Sequence, residues 1–143
     1  MQTTATNGNP HGISAKAQAL TPYALALLRL VTAFLFMQHA TAKLFGVPHV
    51  AALDGVQLMS LFGVAAIIEI VGSALLLLGL WTRATAFILS GEMAVGYFLV
   101  HAPQGHVLSP ILNNGEMAVM FCFVFLFIAA AGGGAWTIDN RLR

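Results

Sequence analysis

Residues 62–80 read FGVAAIIEIVGSALLLLGL. The stretch approaches the roughly 20 residues that a helix needs to cross the hydrocarbon of a bilayer. Its apolar residues do not alternate with polar ones as in a membrane barrel strand, so a helix, which satisfies its own backbone groups, is the plausible spanning form. One carboxylate, Glu69, stands inside it. Insertion scales put a charge at the bilayer midplane at roughly 2.5–3.5 kcal/mol, so Glu69 must be paired, protonated, hydrated or close to a membrane face.

Three more apolar runs flank this one, at residues 23–45, 82–101 and 114–132, joined by short polar or Gly/Pro-marked segments. Glu92 and Glu116 each sit alone in a different run, in a chain of 143 residues of which only 8% are charged. With 59% hydrophobic residues and a mean hydropathy of +0.86, nothing is left over for a soluble domain. The expected fold is all-α: a polytopic membrane protein, a four-transmembrane-helix bundle. Residues 1–20 read as a flexible polar N-terminal tail, and residues 21–143 as a single four-helix domain. Ala40-Thr41-Ala42 resembles a small-residue cleavage site. Arg29 nevertheless interrupts the first run, which also exceeds the about 7–15 residues of a signal-peptide core, so it reads as the first membrane helix.

With four spans, Lys16, Arg83, Arg141 and Arg143 fall on one side, Arg29 lies near that side, and Lys43 lies on the other. The excess of basic residues marks the cytoplasmic side, so both termini are expected in the cytoplasm of an inner-membrane protein. A net charge of +1, with no basic patch or phosphate-binding loop, excludes a nucleic-acid partner; the partners expected are membrane lipid and a second membrane protein or a further copy of the chain.

Helical rise places His39 about five residues, Glu69 about seven and Glu92 about nine inside the outer ends of their helices, roughly 7–14 Å deep. Glu116 lies near the outer start of the fourth helix. One acid or imidazole from each helix is therefore expected to converge in the outer half of the bundle, the alternative being separate structural hydrogen bonds. Arg29, Thr32, Phe36, His39 and Lys43 recur every three or four residues and share one face of the first helix. Arg29 is expected either to reach Glu69 or Glu92 or to extend to the headgroups. Gly72, Gly79, Gly96 and Gly115 read as positions of close packing.

Several motifs in order then carry a family resemblance. They are His39-Ala-Thr-Ala-Lys43-Leu-Phe-Gly46 at the end of the first helix; Glu69, the Gly72-Ser73 pair, a Leu run and Gly79-Leu-Trp-Thr82-Arg83 through the second; Asn114-Gly115-Glu116 at the start of the fourth; and Gly132-Gly-Gly134-Ala-Trp136-Thr-Ile-Asp139 near the C-terminus. Together they resemble the DoxX family over about residues 26–140, with Ser73 where the family often has a second Gly. The resemblance implies a four-helix inner-membrane protein of a family associated with quinone-linked sulfur oxidation and redox homeostasis complexes. More distant relatives include thiol-redox enzymes. Cys122 is the only cysteine here, so no internal redox pair can form.

Three functional classes remain open. In the first, the polar cluster is a quinone site, with Arg29, His39, Lys43 and Glu69 around the ring and His39, Glu69, Glu92 and Glu116 as a proton relay, within or beside a membrane oxidoreductase complex. In the second, His39, Glu69, Glu92, Glu116 and His101 bind a metal, or His39 and His101 hold a haem. In the third, the chain is an accessory or assembly subunit whose acids fix helix packing.

Overall fold

The helix boundaries follow from local signals at each end. A computed structural model describes residues 10–142, with side chains from Ser14 onward. Helix α1 runs Pro10–Phe45, α2 Leu61–Leu78, α3 Thr82–Gly96 and α4 Glu116–Ala131. Among the described residues the regular structure is entirely helical. Ser60 caps α2 by accepting from the Gly63 amide at 3.1 Å. Gly79 ends it in the left-handed conformation at φ 67°. The reversal into α3 takes only the residues between Leu78 and Thr82, and Asp139 closes it by accepting from the Trp81 and Thr82 amides, both at 2.8 Å.

Two boundaries differ from the sequence reading. Residues 10–20, expected as a flexible tail, are the first turns of α1, and only residues 1–9 of that tail lie outside the described residues. Pro10 at the first helical position and the Ala-Lys-Ala-Gln-Ala-Leu run ending at Leu20 favour a helix whether or not it is apolar. Beyond Gly96, α3 continues through a π-helical turn, Tyr97–His101, and a 3-10 turn, Ala102–Gln104. Arg143, counted in the charge asymmetry, also lies outside the described residues.

Among the described residues three helical segments are long and apolar enough to cross a membrane: Ser14–Phe45, Leu61–Leu78 and Thr82–Gln104. The fourth, α4, is apolar but has 16 residues, about 24 Å of helix against roughly 30 Å of hydrocarbon. It is preceded by a separate 3-10 turn, Pro110–Asn113. The expected four-helix bundle is present among the described residues, with one of its helices short.

The helices pack chiefly as two hairpins, α1 with α2 and α3 with α4, with lighter contact between α2 and α3. A core of Phe36, Leu76, Leu89, Phe121, Phe125 and Ile128 joins all four. Phe36 is edge-on to Phe125 at a centroid distance of 4.9 Å and tilted against Phe121 at 5.0 Å. Gly72 lets α2 and α3 touch, since a Cβ there would fall 2.7 Å from Leu89 Cδ2. The C-terminal segment folds back across the end of the bundle where α1 begins: the Ala135 amide donates to Pro22 O at 2.8 Å. The outward faces carry exposed Phe34, Phe87, Phe123 and Phe127, an apolar belt suited to lipid.

Candidate functional site: a polar-lined cavity between the helices

Above the contact of Gly72 with Leu89, α2 and α3 separate. Their antiparallel register sets Glu69 opposite Glu92, Ala65 opposite Gly96 and Phe62 opposite Leu99, and all six line one cavity of about 800 Å³. Two of the facing positions are small, which accounts for the width. Gly96 has no atom within 4 Å of where its Cβ would stand; it opens space and does not serve the close packing expected of it. Phe36, His39 and Lys43 of α1 and Met117, Ala118 and Phe121 of α4 complete the wall.

Lys43, in the last turn of α1, turns inward, and its Nζ lies 2.5 Å from Glu69 Oε1. These side chains are 11% and 2% exposed, so the ion pair belongs to the interior. Of the partners considered for Glu69, the structure places Lys43 there. Glu69 Oε2 and both carboxylate oxygens of Glu92 are buried without a hydrogen-bond partner. Buried polar atoms nearly always have one, so these acceptors, on two residues that line the cavity, call for a donor. His39 stands beside it, edge-on to Phe121 at 5.8 Å. His101 lines the upper wall, with Nδ1 3.0 Å from Asn113 O.

Two of the candidate residues lie elsewhere. Arg29 is fully buried near the middle of α1, about 21 Å of helix from Lys43 and away from the cavity. Instead of reaching a carboxylate or the headgroups, it donates to backbone carbonyls: Leu76 O and Leu77 O at the end of α2, and Gly133 O, Ala135 O and Trp136 O in the C-terminal segment. Glu116 is exposed in the first turn of α4 and does not line the cavity. A carboxylate is favoured there by the helix dipole. Among the described residues no three of the His, Cys, Asp and Glu side chains form a group able to hold a metal, so the expected set of His39, Glu69, Glu92, Glu116 and His101 is not assembled as ligands.

The sequence reading missed the hydrogen-bonded turn between α3 and α4, beside the cavity. Tyr97, in the π-helical turn, donates to Val107 O at 2.6 Å, and Asn113 Nδ2 donates to Tyr97 Oη at 3.3 Å and Gly105 O at 3.1 Å. The Gly115 amide returns a bond to Asn113 Oδ1 at 3.1 Å. Asn113-Asn114-Gly115 signals a turn, but nothing local to Tyr97 marks it as that turn's anchor.

The DoxX family profile matches residues 24–102, from α1 to the 3-10 turn after α3. A protein of Haemophilus influenzae described as uncharacterized is 46% identical over 122 residues, which is 84% of this chain and 91% of the relative. The chain belongs to the DoxX family. No solved structure matches it. Within this DoxX chain, His39, Lys43, Glu69, Glu92 and His101 all fall inside the matched segment, while the α4 wall lies beyond it.

Proposed function

We propose that the cavity is a quinone site and that this DoxX protein works in or beside a quinone-linked redox complex of the cytoplasmic membrane. The observation that carries the reading is Glu92, whose two buried carboxylate oxygens have no hydrogen-bond partner and face apolar walls. A quinone ring fits a pocket of about 800 Å³ with aromatic and aliphatic walls and a few polar groups at one depth. When bound, the quinone supplies two-electron, two-proton chemistry, with the electrons coming from a partner membrane redox protein. Lys43 Nζ donates to a ring oxygen while held by Glu69. Glu92 and the His39 imidazole exchange protons with the ring hydroxyls. Phe36 and Phe121 pack the ring and exclude water.

The same reading places both termini in the cytoplasm. Lys16, Arg83 and Arg141 lie toward the end where the C-terminal segment meets α1, whereas residues 46–60 and 102–115, at the opposite end, contain no Lys or Arg. Lys43 is spent on Glu69 within the bundle.

The test is purification in mild detergent with analysis of the lipid extract, followed by His39→Ala and Glu69→Gln in the assembled complex. Quinone in the extract and loss of quinone-dependent activity with the complex intact are expected. An extract without quinone, and activity indifferent to quinone-site inhibitors, would overturn the proposal.

A further inference from the structure

The cavity does not close on the membrane side. On α2, Glu69 faces inward while Ile68 and Val64 turn progressively toward lipid; on α3, Glu92 is followed around the helix by Ile88, Leu99 and Val95. Ile68, Val64, Ile88, Val95 and Leu99 all line the cavity, yet they are 37–59% exposed. They form two apolar lips along the seam where α2 and α3 diverge. The lower limit is the contact between Gly72 and Leu89, and His101 and Asn114 line the upper end. Glu69 lies eight residues below the first residue of α2, about 12 Å by helical rise, so the seam opens at acyl-chain depth.

The geometry points to a lateral slot between α2 and α3 through which an amphiphile dissolved in the bilayer binds, its hydrogen-bonding ring at Lys43, Glu69 and Glu92 and its apolar tail lying between Ile68 and Val64 on one lip and Ile88, Val95 and Leu99 on the other. The inference rests on the quinone reading for its head group and adds the substrate class: a tailed ring compound drawn from lipid, not a water-soluble one. Charge and apolarity divide along the slot as they divide along such a molecule. The unpartnered carboxylate oxygens need a donor, which a ring hydroxyl supplies. The lips carry no polar side chain, so they suit a chain of methylene or isoprenoid groups. Gly96 leaves the passage between head and tail open.

The test uses the full chain in nanodiscs of phosphatidylethanolamine and phosphatidylglycerol. The probe is a benzohydroquinone, kept reduced, with a decyl tail ending in a diazirine; it is photolysed with and without an excess of the tail-less benzohydroquinone, and the labelled residues are located by mass spectrometry. Labels concentrated on residues 64–68 and 88–99, and lost when the tail-less head competes, are expected. Labels that the head displaces but that lie on residues 46–60 or 102–115 would overturn the slot while leaving the quinone site standing. Labels spread around the apolar belt and indifferent to the competitor would overturn both.

Discussion

At the end of the bundle where the C-terminal segment meets α1, Arg29, Arg83 and Asp139 bond backbone groups, whereas in the opposite half Lys43 and Glu69 bond each other and Glu92 has no hydrogen-bond partner. Arg29 gathers carbonyls from the end of α2 and from residues 133–136. Arg83 donates to Ala129 O, Ala130 O and Ala131 O at the end of α4. Asp139 accepts from the first amides of α3. Each charge sits at the helix end whose dipole favours it and occupies groups that helix geometry leaves unsatisfied. One end spends its charge on structure; the other keeps acceptors in reserve beside a cavity. A buried carboxylate with no partner in the fold calls for an explanation, and the ligand proposed above is one.

The sharpest way to break this contrast is to remove the structural charge. Arg29→Met should destabilise the bundle by about 3–5 kcal/mol, because carbonyls from two segments lose their donor in the interior. Denaturant unfolding in detergent measures this, and a loss near zero would mean that the carbonyls find other partners. Asp139→Ala should cost less, about 1–2 kcal/mol, the usual value of a helix N-cap, read as a lower melting temperature. Glu92→Gln sharpens the other side. Stability should not fall, since no hydrogen bond within the chain is lost and an interior charge is removed. Hydroquinone affinity, measured by titration under reducing conditions, should fall about 10- to 100-fold if the carboxylate accepts from the ring hydroxyl, the worth of one hydrogen bond to a charged group.

The same contrast explains what the sequence could convey. Lone charges in apolar runs are visible in composition, and so are runs of spanning length, so Glu69 and Glu92 were recognisable as interior acids on neighbouring helices. The inward face of α1 was readable from its three-to-four spacing, and it includes Lys43. The destination of Arg29 was not, because its acceptors are carbonyls: the bond to Gly133 O spans 104 positions along the chain, and every residue carries a carbonyl. Glu116 was misjudged for a related reason. Proximity in sequence to Asn114 and Met117, which do line the cavity, does not fix which way a first-turn side chain leaves the helix. Gly96 illustrates the limit of residue type, since the same glycine that would permit close packing also permits a void. The helix over residues 10–20 was hidden by a hydropathy reading although its Ala-rich composition favours it.

The central claim is that the outer cavity binds a ring compound and is not a packing defect. Gly96→Phe tests it directly, because the position is helical at φ −57° and ψ −42° and open, so an aromatic side chain fills the void without disturbing a neighbour. The measurement is the melting temperature of wild type and Gly96→Phe in detergent, each titrated with a decyl-tailed benzoquinone; a ligand that binds only the folded state raises it. The account predicts that the quinone raises the melting temperature of wild type and leaves that of Gly96→Phe unchanged. Equal shifts in both proteins, or no shift in wild type, would contradict it.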